Sequence, residues 1–198
     1  MGVIWGWMAA SQTDIDAQAV NGDPDDTQLD HRAIKFNLQL GTSFSGVLSM
    51  NDSNKRKPTR GAGLLRAFEA TWRQDGPTLV GKLEATRLFG RTFVFTGQVS
   101  MVNGGFRLSA NGGEGPDGAE SLLDADGVWK NGMVSGPTDR DSRRMQFDGS
   151  GLQSWRGVDH ELRFGTSVRR YSLVDSYRWP GSRQAYGVAC EILSLIHI

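Results

Sequence analysis

Apolar and polar residues alternate over long stretches of this chain. In IKFNLQLGTSFSGVLSM, residues 34–50, the apolar set is Ile34, Phe36, Leu38, Leu40, Phe44, Leu48 and Met50. Lys35, Asn37, Gln39, Ser45 and Ser49 lie between them. LVGKLEA places Leu79, Gly81, Leu83 and Ala85 against Lys82 and Glu84. TFVFTGQVSM sets Phe93, Phe95, Val99 and Met101 against Thr96, Gln98 and Ser100. HELRFGTSV does the same with Leu162, Phe164 and Val168 against Arg163 and Ser167, and residues 143–153 repeat the pattern more weakly. A period of two is the signature of strands, because successive side chains point to opposite faces of a sheet. The pattern predicts strands near 3–14, 28–40, 43–54, 77–88, 92–104, 128–154 and 160–179, in an all-β, antiparallel up-and-down meander.

The predicted connections sort by length. The joints at 41–42, 89–91 and 155–159 are short, whereas 15–27, 55–76 and 105–127 are long and polar. A membrane barrel alternates in this way, with short periplasmic turns and long extracellular loops. The expectation is an open part of a large transmembrane β-barrel of about seven strands, Leu, Phe, Ile, Val, Met and Gly facing lipid. Lys35, Asn37, Gln39, Lys82, Glu84, Gln98 and Arg163 then face a wet lumen, where they are candidate solute contacts. A half-buried sandwich strand alternates identically, so a soluble β-sandwich binding module, for glycans for example, is the alternative. A plug-free porin or adhesin-like barrel, and an enzyme on a β scaffold, are further rivals.

Composition narrows the choice. Apolar residues make up 38 % of 198, which is low for a core of that size. The 22 basic residues balance the 22 acidic ones, so nothing favours a nucleic-acid partner. No run of about 18 apolar residues exists, as a membrane-spanning helix needs. MGVIWGWMAAS lacks a basic leader region and reads as a strand rather than a signal peptide. The single Cys190 excludes an internal disulfide framework.

Catalytic and metal motifs are sparse. His31, His160 and His197 make no HExxH pair, and GTSFSG has the wrong spacing for a nucleophile elbow. GGEGPDGAE, residues 112–120, matches one copy of a calcium-binding nonapeptide that works only in stacks. DADG at 124–127 lacks the full EF-hand spacing. No catalytic residue, metal or cofactor is expected. Trp5, Trp7, Trp129, Trp155 and Trp179 lie near predicted strand ends, where aromatic girdles or ordinary core packing would both place them. NKRKPTRG, residues 54–61, is read as part of a long loop, either a solvated tip or a contact for lipopolysaccharide phosphate.

Five strings in order resemble the barrel region of Oar-like TonB-dependent outer-membrane receptors. They are IWGWMAASQTDI (4–15), WRQDGPTLVGKLEATRLFG (72–90), MVNGGFRLSANGG (101–113), DADGVWKNGMVSGPTDRDSRRMQFDGS (124–150) and HELRFGTSVRRYSLVDSYRWPG (160–181). Together they cover most of residues 3–181. The resemblance implies a barrel of about twenty-two strands around a plug, of which this chain would be about a third. It implies non-enzymatic import of a scarce solute through the outer membrane. The partners would be outer-membrane lipid and lipopolysaccharide, the unknown solute, and the TonB energy-coupling complex acting through a plug that residues 1–192 do not contain. LSLIHI, residues 193–198, resembles a translated sequencing adapter and is set aside as a separate tail.

Overall fold

A computed structural model describes residues 1–187. Cys190, His197 and the 193–198 tail lie outside the described residues. Seven strands form one antiparallel meander: β1 (Gly2–Ile15), β2 (Thr27–Leu40), β3 (Phe44–Arg60), β4 (Trp72–Phe89), β5 (Phe93–Ala110), β8 (Gly136–Trp155) and β9 (Val158–Asp175). Within the fifth connection run β6 (Ser121–Leu123) and β7 (Trp129–Lys130). These join β10 (Ala185–Gly187) in a small sheet of order β10-β6-β7. The large sheet is not closed, and β1 and β9 each have one edge with no partner among the described residues.

The tight turns explain their own sequences. β8 and β9 are joined by Arg156 and Gly157 alone, with φ of 53° and 77°. Positive φ at both central residues gives the primed hairpin turn, whose twist matches that of the flanking strands. Gly41 and Gly90 supply the left-handed residue in the other two turns. All three turns lie at one end of the sheet. The long connections, 16–26, 61–71 and 111–135, lie at the other.

Strand order and hairpin pairing follow the sequence expectation, with three corrections. NKRKPT belongs to β3, not to a loop, and only Gly61 begins the connection. The ladder merely shifts register between Lys57 and Arg60, where Pro58 lacks an N–H to donate. The predicted strand 128–154 is interrupted: Trp129–Lys130 pairs with β6, and the sheet strand begins at Gly136. The last strand ends at Asp175, after which Ser135 and Arg178 exchange backbone hydrogen bonds of 2.9 Å.

The sheet itself has almost no core. Among the described residues the buried apolar side chains are Ala33, Ala70, Ala110 and Met133. Three of these, Ala70, Ala110 and Met133, cluster at the long-loop end, with Trp72, Trp129 and Trp179 packed around them. Among the described residues no helix is long and apolar enough to cross a membrane.

Candidate functional site

The register sorts the two faces of the large sheet. Gly6, Phe36, Leu48, Leu83, Val99, Met145 and Val168 are successive cross-strand partners and form one apolar row. A parallel row holds Ile4, Leu38, Gly46, Ala85, Gly97, Phe147 and Thr166. Near the turns, Phe95 touches Phe89, Phe147 and Phe164 at centroid distances of 5.2, 5.8 and 5.9 Å. Gly149 lies directly under Phe164, where a Cβ would collide with the ring.

This apolar face is the uncovered one. Leu83 is 56 % exposed, Met145 65 % and Val168 71 %. Ile34, Phe36, Leu83, Phe95 and Phe164 share this face, and no second layer lies over them. The opposite face is the more protected along the interior strands, although it is the polar one: Lys35, Asn37, Ser49, Lys82, Glu84, Gln98 and Ser100 are all half-buried. No second layer covers Lys35 to Gln39 either. A water-soluble sheet does the reverse, burying its apolar face.

All seven sequence candidates fall on the polar face. Lys35, Asn37 and Gln39 lie on β2, Lys82 and Glu84 on β4, Gln98 on β5 and Arg163 on β9. The structure brings some of them together. Asn37, Val47, Glu84 and Gln98 are consecutive partners, and Lys82 Nζ meets Glu84 Oε2 at 2.8 Å. Arg163 stands apart at the turn end, paired with Glu161 at 2.6 Å. Arg140, Arg144 and Arg169, absent from the sequence candidates, share the same face. The signal was present as two Arg-Arg pairs, 143–144 and 169–170, each of which must put one guanidinium on either face of its strand.

The tryptophans correct the girdle expectation. Trp5 and Trp7 partner Asn37 and Lys35, so they project from the polar face. Trp129 and Trp179 stack on each other at 6.1 Å in the loop region. Trp155 alone lies at a turn on the apolar face, 65 % exposed and opposite Val158.

The long connections 61–71 and 111–135, with residues 176–187, build a compact cap. Trp72 Nε1 donates to Val134 O at 2.7 Å, and the Arg66 guanidinium lies 4.3 Å over the Trp72 ring. Burial there pulls the Arg66 guanidinium below its ordinary value. The Ser135 hydroxyl accepts from Ala110 N at 2.9 Å, and Thr138 and Tyr177 share a 2.5 Å hydroxyl contact. Lys130 Nζ lies 2.8 Å from Asp124. Hydrogen bonding from Lys130, and then from Val128 N–H, holds the Asp124 carboxyl below the usual carboxylate range. Asp124 in turn raises Lys130. The calcium-like strings are spent in the same way: Glu114 pairs with Arg107 at 2.7 Å, and Glu120 Oε1 accepts from Ser182 N. Among the described residues no three His, Cys, Asp or Glu side chains converge as a metal site would require.

A cavity of about 770 Å³ lies at the loop ends of β1 to β5 and is lined by Asp14, Asp26, Arg56, Lys57, Arg73 and Asp75 among others. Its charges are largely satisfied within the chain. Arg56 bridges Asp30 and Asp75 at 3.3 and 3.6 Å, and Lys57 reaches buried Asp25 Oδ1 at 2.8 Å, an ion contact outside hydrogen-bond angles. Comparison of the chain with protein-family models, with curated proteins and with solved structures finds no match.

Proposed function

We propose that the seven-stranded sheet is wall of a transmembrane β-barrel, its apolar face against acyl chains and its polar face toward a water-filled lumen. Within that class the reading best supported is an Oar-like TonB-dependent receptor of the outer membrane, importing a scarce solute without covalent chemistry. The observation that carries the proposal is the exposure of the apolar face described above. Lipid is the solvent in which such a face costs nothing, and strands cross lipid only when every backbone group is paired in a closed sheet. Dimensions are of the right order. On β5 the apolar face runs from Phe93 to Met101. Eight residue steps give about 27 Å along the strand, or about 19–22 Å at barrel tilt, against an apolar band of about 25 Å.

The alternation of tight turns and long connections supports the same orientation, with the cap outside the cell. The ordered strings between residues 3 and 181 support the narrower family reading. In it, the edges of β1 and β9 pair with further strands, and the TonB complex acts on a plug. Lipopolysaccharide meets the charged strand ends of β2 to β5 above the apolar band.

Refolding tests the proposal. The chain is expected to aggregate on dilution from denaturant into buffer, because it presents an apolar face and two open edges. Diluted into detergent micelles and then phospholipid vesicles, it is expected to gain strand circular dichroism and to float with the vesicles. A monodisperse, detergent-free monomer that stays in the aqueous fraction would contradict the barrel and favour a soluble binding module.

A further inference from the structure

We infer that Arg140, Arg144 and Arg169, with Ser142 and Tyr171, form an oxyanion-binding site on the polar face, and that the imported solute is therefore anionic. The second clause rests on the barrel reading; the first does not.

The register makes the site. Arg144 on β8 and Arg169 on β9 are direct cross-strand partners, and Ser142 and Tyr171 are the next pair on the same face. Arg140 follows two residues further along β8. Like charges placed directly opposite destabilise a strand pair; Arg143 and Arg170 are a second such pair, so what marks Arg144 and Arg169 is the way their face holds the guanidiniums. None of the three guanidiniums has a carboxylate within ion-pair distance among the described residues. Lys82, on the row of Arg144 and Arg169, is different, because Glu84 neutralises it. Asp148, on the same face of β8, accepts a hydrogen bond from Gln146 at 2.6 Å.

The arginines are also held in ways that leave their donors free. Arg140 lies 5.5 Å over the Phe106 ring, which Arg60 approaches at 5.4 Å. Stacking uses the flat side of a guanidinium and leaves the N–H edge open. Arg169 Nε donates to Ser142 Oγ at 2.9 Å, which orients the group and spares its terminal nitrogens. Pre-oriented guanidinium edges beside two hydroxyls match the paired acceptors of a carboxylate, phosphate or sulfate. The ligand class is thus a solute bearing such oxyanions, not a neutral sugar.

The same two strands supply a control. Arg143 and Arg170 are also direct partners but project from the apolar face, in a cleft shared with Asp141. The experiment is isothermal titration of the full chain, refolded in detergent micelles, with citrate, inorganic phosphate and uncharged maltotriose. Citrate and phosphate are expected to bind, less tightly as salt rises, and maltotriose is not. Arg144→Gln with Arg169→Gln is expected to weaken citrate at least about tenfold, the loss of a hydrogen bond to a charged group. Arg144→Lys with Arg169→Lys is expected to lose less. Arg143→Gln with Arg170→Gln is expected to change nothing, and strand circular dichroism checks that every variant folds. Absence of anion binding, equal loss in the two glutamine variants, or maltotriose binding as tightly as citrate would overturn the site. Vesicle flotation is read separately. Flotation without anion binding removes this inference and leaves the barrel, whereas anion binding by a chain that never floats removes the barrel and leaves the site.

Discussion

Leu83, in the middle of the large sheet, keeps 56 % of its surface uncovered, whereas Met133, in a connection, keeps 4 %. That inverts the usual relation between regular structure and loops, since connections normally run over a surface that strands enclose. The cap is organised like a small water-soluble protein. Its tryptophans surround Ala70, Ala110 and Met133, and buried Ser121, Thr71 and Thr138 find partners in Gly132 O, Phe68 O and Tyr177. The sheet is held instead by its ladders, and its apolar face is left uncovered. The two regions are organised differently, and each can be broken in a way the other does not feel.

The largest effect is expected in the cap. Met133→Ala removes buried volume from its only cluster and is expected to cost about 2–5 kcal/mol there. Hydrogen exchange checks the locality: amides of 61–71 and 111–135 lose protection, while those of β2 to β4 keep theirs. The matching test of the sheet is Val99→Arg against Gln98→Arg, neighbours on opposite faces of β5, Gln98 lying opposite Glu84. In vesicles Val99→Arg is expected to cost about 2–4 kcal/mol, and Gln98→Arg, on the polar face, about 0–1 kcal/mol. Urea titration of the vesicle-bound chain measures both.

Why some of this was legible in the sequence, and some not, follows from the same division. Where a strand has one apolar and one polar face, the period of two is clean, as in Ile34–Leu40 and Leu79–Ala85. For that reason the alternation alone puts Lys35, Asn37, Gln39, Lys82, Glu84, Gln98 and Arg163 on one face, the polar one. Where both faces of a strand are polar the period vanishes. Asn54–Arg60 therefore reads as a loop although it is strand. In IWGWM both parities are apolar, so only pairing with Lys35 and Asn37 decides that Trp5 and Trp7 lie on the polar side. The cap core was hidden because Ala70, Ala110 and Met133 come from three separate segments. The arginine site needed the register, which no single strand reveals.

A smaller effect concerns acid. The lowered pKa of Asp124 means that its contribution is present above the unfolded carboxylate value of about 3.9 and is lost as pH falls through the lower folded value. Lys130, raised in the fold, contributes below its unfolded value of about 10.4 and loses that contribution as pH rises through the folded one. Tryptophan fluorescence from the cap is therefore expected to shift on acidification below about pH 4, with Asp124→Asn abolishing the Asp124-linked part. Strand circular dichroism from the sheet is not expected to follow it.

The central claim is that neighbouring residues of one strand meet opposite solvents. Single-cysteine variants at each position from Leu79 to Thr86, in a Cys190→Ser background, carry a nitroxide in vesicles. Collision with oxygen, concentrated in lipid, is expected to peak at positions 79, 81, 83 and 85. Collision with a water-soluble nickel chelate is expected to peak at positions 80, 82, 84 and 86. Equal accessibility throughout, or shielding of position 83 from both reagents beneath protein, would contradict the account.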